Sequence, residues 1–454
     1  MSSRVGSLPA ETVLRFDSSV RRFAGGTVVL GGSPLRLLRL GTRGAESLQR
    51  LAAGEAVGNR QRDQQLARRL LDSGIAHPDV PAGGFGHRDV TLVAPVKDDS
   101  AGARRLLAAT AELADRIVVD DGSAEYLPEA VVRNEKPAGP AAARNTGWRL
   151  ARTELVAFVD ADVVPEDDWL DALLPLFSDP AVAAVAPRVR CSSGSSAVAR
   201  YERDRSSLDF GAHPGVVRPM SRVSYVPSAA LVVRRDALDE VGGFDARLRF
   251  GEDVDLVWRL IDSGKTVRYQ PESHVRHEPR SRLRGWVRQR FEYGTSAAPL
   301  SVRHRERLSC ARISRYSALA WSLLAAGRPR LALLCAAVTT ALFPRKLRGR
   351  GVPTAEALRL AGFGHFGAGR LLTDAVRRAW WPLVIAGAPF SKKVRRAVLV
   401  ALLPCLFDAA GKPPSWLALR ILDDVAYGAG VWRGCAKERT FRPLLPSWTD
   451  DGLR

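Results

Sequence analysis

The segment LVAFVDADVVPEDDW (residues 155–169) sets an apolar run directly against a group of acids. Asp160, Asp162, Glu166, Asp167 and Asp168 stand together, with Asp171 just beyond. Carboxylates this close repel one another, and the chain around them carries a formal net charge of +20. Two chemistries fit: a solvated turn leading into a helix, or a seat for a hard divalent cation, which prefers oxygen ligands. On a regular strand Asp160 and Asp162, two residues apart, would face the same side. Pro165 suits the first turn of a helix, and Glu166, Asp167, Asp168 and Asp171 suit its positive end.

Other polar groups follow the same punctuation. Lys97, Asp98 and Asp99 come after the run VTLVAPV, and Asp120 to Ser123 (DDGS) close RIVVD. GPAAARNTGW places Gly139, Arg144 and Asn145 at a helix start. Glu252 and Asp253 stand in GEDVDLVWRL, and His274 and His277 in HVRH. Each piece has a bland reading. An Asp-Gly-Ser after a strand is ordinary turn chemistry, and Glu252, Asp253 and Asp255 could merely open a helix, where acids suit the dipole. The order is more telling: acids after successive strands, then Asp-x-Asp, then Glu-Asp roughly ninety residues later.

The elements that must position these groups are buried strands. VTLVAPV, RIVVDD, LVAFVD and VAAVAPR alternate with helical stretches between about 88 and 275. Near-continuous apolar runs of this length suit strands of a parallel sheet covered on both faces. The expected class is α/β, a doubly wound Rossmann-like domain over residues 86–280 with ligands at the carboxyl ends of its strands. Residues 1–85 read as a small winged-helix-like module. Short strands TVLRF, VRRF and TVVL precede helices TRGAESLQRLAAG, with Thr42 as N-cap, and RDQQLARRLLDSG. HPDVPAGGFGHRD (77–89) reads as a linker.

Residues 281–454 read as a helical region. YSALAWSLLAAG, LALLCAAVTTALF, AWWPLVIAGAPF and AVLVALLPCLF are apolar helices, each short of the ~20 residues a membrane span needs. Arg328 and Arg330 split the first pair; Lys392, Lys393, Arg395 and Arg396 split the second. These helices form either a helical core or an interfacial layer with arginines on lipid phosphates. GFGHFGAG (362–369) reads as a flexible turn.

At 46% hydrophobic and 7% aromatic residues, the chain has material for a core. The basic excess favours phosphates or an anionic membrane face. No recognition helix or RNA motif accompanies it, so nucleic acid is not an expected partner. Five scattered cysteines have no metal-ligand spacing and suit free thiols in a reducing compartment. The N-terminus MSSRVGSLPAETVLRFD has no apolar h-region, so no secretory signal is expected.

Taken together, residues 88–275 resemble the nucleotide-binding domain of family 2 glycosyltransferases, the GT-A architecture. Over its full length the chain resembles the actinobacterial mycofactocin-system branch of that family. The resemblance implies a nucleotide-sugar donor, UDP-glucose, and Mg²⁺ or Mn²⁺. It implies that Asp98, Asp99, Asp120 and Asp121 hold nucleobase and ribose, with Asp120 the foremost base-binding acid. Arg144 and Asn145 match the family's Ala-Arg-Asn near the diphosphate. Asp160 and Asp162 are the implied cation and ribose acids, with Asp162 the direct ligand. Asp253 is the implied general base and Glu252 the acid that shapes the acceptor site. His277 falls where some relatives place a metal ligand; a strand-edge histidine is the alternative. The processive motif Gln-x-x-Arg-Trp is broken, with Val287 and Phe291 in its outer places and Arg290 kept to face phosphate.

Three functions follow as expectations. One is an inverting transferase that moves glucose onto a premycofactocin-type, peptide-derived redox cofactor to give β-linked chains. Another is the same chemistry on a lipid-linked or cell-wall polysaccharide acceptor. The third is a membrane-associated binding protein without catalysis. The N-terminal module resembles peptide-recognition domains and would take a precursor peptide, or else cap the catalytic domain. The expected location is the cytoplasmic face of the cell membrane.

Overall fold

The computed structural model describes residues 6–449 apart from Ser193, Ser281 and Glu306. The first five residues, which carry part of the N-terminal reading above, lie outside that range. The chain divides into two compact units. One holds the residues up to Gly194 and Glu202–Pro279; the other holds Ser195–Tyr201 and the chain from Arg280 onward.

The first unit begins with strands β1 (Val13–Phe16), β2 (Arg21–Phe23), β3 (Val28–Gly31) and β4 (Arg36–Arg39). Helices α1 (Thr42–Ala52) and α2 (Gln61–Asp72) and strand β5 (Ala76–Asp79) follow. β2, β3 and β4 form an antiparallel sheet. Apolar residues at helical spacing, Leu48 and Leu51 on α1 and Leu66, Leu70 and Leu71 on α2, close over Val29 and Ile75. Two local expectations change. Gly41 is the N-cap of α1, with Thr42 already helical. The stretch read as a linker starts as β5, which pairs antiparallel with β1 from Val13–Asp79 to Phe16–Ala76. Arg68 of α2 then grips Asp179 of the sheet domain through two bonds of 2.7 and 2.9 Å. Both side chains are largely buried.

The large sheet uses β6 (Val90–Val96), β7 (Asp115–Asp120), β8 (Val132–Arg133), β9 (Leu155–Val159) and β10 (Val163–Pro165). It is completed by β11 (Val182–Cys191), β12 (Gly215–Val216), β13 (Ala230–Arg234) and β14 (Thr266–His277). Helices α3 (Ser100–Ala109), α4 (Pro140–Leu150), α5 (Ala197–Arg205), α6 (Arg235–Val241) and α7 (Glu252–Asp262) alternate with them, α5 crossing between the units. The strand order is β10-β14-β11-β13-β9-β6-β7-β8, with β12 on β14. All four apolar runs read as buried parallel strands share one direction, because β13 lies antiparallel to both β9 and β11. The sheet is therefore mixed. β10, β12 and β13 are its reversed members. Its core joins Leu92, Ala157, Val159, Val185 and Val232 to Trp169 and Phe177.

The helix expected after Pro165 does not form. Val163 to Pro165 pair antiparallel with His277 to Val275, so the proline ends an edge strand, a position that needs no ladder N–H. Residues 167–173 are turns, followed by a 3-10 segment at Leu174–Ser178.

The second unit contains α8 (Leu283–Thr295), α9 (Ala297–Arg303), α10 (Arg315–Ala325), α11 (Pro329–Lys346) and α12 (Thr354–Arg378). It continues with α13 (Trp381–Gly387), α14 (Lys392–Asp408) and α15 (Pro414–Glu438). The apolar runs are helices, as the pattern indicated. GFGHFGAG, read as a turn, lies instead inside α12. A Cβ at Gly369 would overlap the Trp321 ring, and Trp321 Nε1 donates to the His365 carbonyl at 2.9 Å. The small residues there make room for an indole. α8 crosses α15 with backbones touching: a Cβ at Gly294 would meet the Tyr427 carbonyl, and one at Gly430 the Phe291 carbonyl. Between these helices and α12, Arg377 and Arg420 bond Asp424 at 3.0 and 2.8 Å, all three buried.

Candidate active site

Asp160 and Asp162 lie just past the end of β9, in the turn that leads to β10. They are not on one strand, and the turn sends them to different partners. Asp160 Oδ1 accepts from Arg144 at 2.6 Å. Asp162 Oδ2 lies 3.5 Å from His277 Nε2, because the pairing of Val163 with His277 brings the last residue of β14 alongside. Both carboxylates keep about a third of their side-chain surface open, 29% for Asp160 and 32% for Asp162. A ligand can therefore reach them.

Arg144 organises the site. It sits on α4, 3% exposed, with Phe244 beneath its guanidinium at 5.4 Å. One amino group holds Asp160 and the other donates to Glu252 Oε1 at 2.9 Å. Burial opposes its charge, yet Asp160 and Glu252 outweigh burial and keep it protonated. Glu252 and Asp253 start α7 directly after Gly251, whose left-handed φ of 77° turns the chain into the helix at little steric cost. Asp253 accepts from the Val254 N–H at 2.8 Å and from the Ser228 N–H.

Three carboxylates crowd around one buried guanidinium, and burial raises their basicity against its pull. Burial, then the neighbouring Asp253, pushes Glu252 up to about 7 against the pull of Arg144. Burial raises Asp253 above the usual carboxylate range, against its two backbone donors and Arg144. Burial also raises Asp160, with Arg144 opposing and Asp162 adding to the rise. At His277, burial disfavours the charged ring, but the bond to Asp162 and the charges of Asp162 and Asp160 raise it overall.

The acids after β6 and β7 form a separate group with mostly structural bonds. Asp120 is fully buried; its Oδ1 accepts from Ser123 N and its Oδ2 from Arg133, both at 2.8 Å. As placed, it shapes the turn and has no surface for a nucleobase, contrary to the expectation. Asp121 accepts from Asn134 Nδ2, Ala138 N and Gly139 N, and so fixes the loop before α4. Asp99 caps α3 through Gly102 N at 2.8 Å. Asp98 is the exposed member. Its φ of 55° is an uncommon backbone state for a non-glycine residue, and its Oδ1 accepts from Ala124 N at 2.8 Å. Arg133, the last residue of the two-residue β8, is a partner that a single arginine gives no pattern to reveal in the sequence.

Two further expectations are corrected. Asn145 has its amide engaged inside the fold: Nδ2 donates to the Phe244 carbonyl at 2.7 Å, and Oδ1 accepts from Phe244 N and Trp148 Nε1 at 2.9 Å. It anchors the loop that carries Phe244 and is not turned toward a diphosphate. Arg290, expected to face phosphate, is 3% exposed inside the helical unit. It lies over Trp286 at 5.3 Å and 3.4 Å from Asp423.

The donor set around Asp162 suits a hard cation, being carboxylate oxygen with one imidazole nearby. Among the described residues no three Asp, Glu, His or Cys side chains converge as a complete cation seat. Mg²⁺ and similar ions commonly take one or two carboxylates and complete their shell with substrate phosphates and water. Asp162, with the open part of Asp160, fits that pattern.

A Rossmann-like mixed sheet with acids and an arginine gathered at its strand ends defines the GT-A class of glycosyltransferase. Residues 63–293 match the sequence model described as "Glycosyltransferase like family 2". The chain is 42% identical over 468 residues to the "Pre-mycofactocin glycosyltransferase" of Mycobacterium tuberculosis, covering 97% of this chain and 98% of that one. It is 29% identical over 254 residues to the succinoglycan biosynthesis protein ExoM of Rhizobium meliloti, covering 51% and 76%. A solved mannosyltransferase from Pyrobaculum calidifontis, in complex with GDP-Man and Mn²⁺, is 16% identical with a TM-score of 0.44, covering 79% of this chain and 90% of that one. The chain belongs to glycosyltransferase family 2 and is a glycosyltransferase.

Proposed function

We propose that the enzyme transfers glucose from UDP-glucose, with inversion, onto a premycofactocin-type acceptor. The observation that carries the chemistry is the Asp160–Arg144–Glu252 chain ending beside Asp253. Asp253 takes the proton of the attacking hydroxyl as that oxygen bonds the anomeric carbon. The bond from that carbon to the diphosphate oxygen breaks, and its electron pair leaves with the diphosphate. Inversion at an α-linked donor gives a β-linkage. Arg144 holds Asp160 and Glu252 in place and moderates their repulsion from Asp253. Asp162, with the open part of Asp160, would hold Mg²⁺ or Mn²⁺, and His277 stands beside Asp162. When bound, that cation supplies positive charge to the leaving diphosphate.

The acceptor reading is supported by the near whole-length likeness to the mycobacterial relative. It is tested by incubating the purified chain with a panel of nucleotide sugars, Mn²⁺ and premycofactocin, with products read by mass spectrometry. Hexose increments from UDP-glucose are expected. Increments only on a polyprenyl-phosphate-linked acceptor would move the reading to a lipid-linked substrate.

The N-terminal strands β2 and β4 are edges of their sheet and could take a peptide strand by β-addition. In this reading the precursor peptide binds the full chain. No binding in a titration to high micromolar peptide would remove that role.

A further inference from the structure

We infer that the helical unit binds, in the plane of the interface, to the surface of an anionic phospholipid bilayer. The inference concerns where the enzyme works and is independent of which acceptor it uses.

The first observation is where apolar side chains are exposed. Among the described residues 29 large hydrophobic side chains are exposed; five lie in the sheet unit and 18 lie between residues 316 and 407. Scattered exposed leucines need no explanation, but concentration on one set of helices does. These residues have helical spacing. On α11 the exposed Leu331, Leu334, Val338 and Leu342 recur every three or four residues, while Ala332 faces inward. On α14 the exposed set is Leu399, Leu403, Leu406 and Phe407, with Ala401 and Cys405 buried. Phe390, between α13 and α14, is 91% exposed and Phe366 on α12 is 73%. An ordinary amphipathic helix turns such stripes toward a core. Here the inward sides pack on neighbouring helices, and apolar stripes remain outside.

The second observation is charge. Between residues 310 and 412 the sequence has 17 Lys and Arg against three acids, Glu356, Asp374 and Asp408. This segment supplies +14 of the chain's +20. The charges cluster at helix ends. Arg328 and Arg330 open α11, Arg345 and Lys346 close it, and Lys392, Lys393, Arg395 and Arg396 open α14. A Cβ at Gly327 would overlap the Arg396 guanidinium, so the basic start of α14 abuts the turn that bears Arg328. The stripes therefore have basic rims.

An apolar stripe between basic ends matches a bilayer interface, with side chains among the acyl chains and guanidinium groups on phosphates. A spanning arrangement is not available to the described helices, since none is long and apolar enough to cross. A second copy of this unit would oppose one dense positive charge with another, which disfavours self-pairing through the same face.

The test uses the full chain in flotation with vesicles of phosphatidylcholine alone and of phosphatidylcholine with phosphatidylglycerol. Binding to the anionic vesicles is expected at low salt, and it weakens as salt is raised. Replacing Lys392, Lys393, Arg395 and Arg396 together by Ser should weaken binding to anionic vesicles by about fivefold per charge. Leu334→Glu with Leu403→Glu should abolish binding to both vesicle types. Unchanged transferase activity on a soluble acceptor shows that each variant is folded. Failure of the wild-type chain to float with anionic vesicles at low salt overturns the proposal. So does binding that these variants leave intact. A dimer in sedimentation velocity that Leu334→Glu dissolves, without vesicle binding, also overturns it in favour of a self-interface.

Discussion

The two units use arginine in opposite ways. At the sheet ends Arg144 is buried and bonded to Asp160 and Glu252, with Asp253 close by, so acids outnumber the cation. Along α11 and α14 the basic residues outnumber acids and face outward. The same side chain gathers negative charge in one place and leaves positive charge available in the other. Where the helical unit does bury arginine, as at Arg377 and Arg420, it supplies Asp424. Burial therefore decides the pairing, and the surplus is a property of the outer faces.

The contrast can be broken most forcefully at its acidic end. Asp253→Asn keeps size and removes basicity; kcat should fall by about 10²–10⁴-fold with the melting temperature nearly unchanged. Transfer at an undiminished rate would remove Asp253 as the base. Next in size, Arg144→Met leaves its carboxylates without their counter-charge, and denaturant unfolding should show a loss of about 3–5 kcal/mol. If stability is unaffected, Arg144 does not organise the site.

The pH dependence sharpens the same end. A base works only when ionised, and burial holds Glu252 at about 7 and Asp253 above its usual range. Asp253 loses its proton as pH rises, so kcat/KM should fall as pH drops through a range above that of an ordinary carboxylate and level off above it. Glu252→Gln removes the acid whose charge Asp253 repels, and the acid limb should then move down. A limb that stays in place would separate Glu252 from the base. The smallest effect belongs to the basic surface. Arg395→Ser alone should change solution stability by less than about 0.5 kcal/mol, as judged by urea unfolding.

Much of this was legible from sequence. Four buried strands announced themselves as apolar runs, and acids after three of them mark strand ends that the structure assembles. The start of α7 was legible too, since Gly-Glu-Asp before an amphipathic stretch is a helix entry. Tertiary pairing decided the rest. β13 is five residues long, and only its place between β9 and β11 explains its reversed direction. Pro165 suited a helix start equally well until the twelve-residue β14 offered it a strand partner. Asp120 and Arg290 looked like ligand contacts because the family resemblance implies such roles at their positions. Their burial depends on Arg133 in one case and on Trp286 and Asp423 in the other, contacts that spacing along the chain does not encode.

One feature of the helical unit limits how it can move. Where α8 and α15 cross, Gly294 and Gly430 bring two main chains into contact. A slide of one residue along either helix would drive Tyr293 or Val431 into a gap that admits only hydrogen. The crossing therefore behaves as a notch that locks register. The two helices can transmit a push along their length as a rigid strut, and they cannot take it up by slipping past each other.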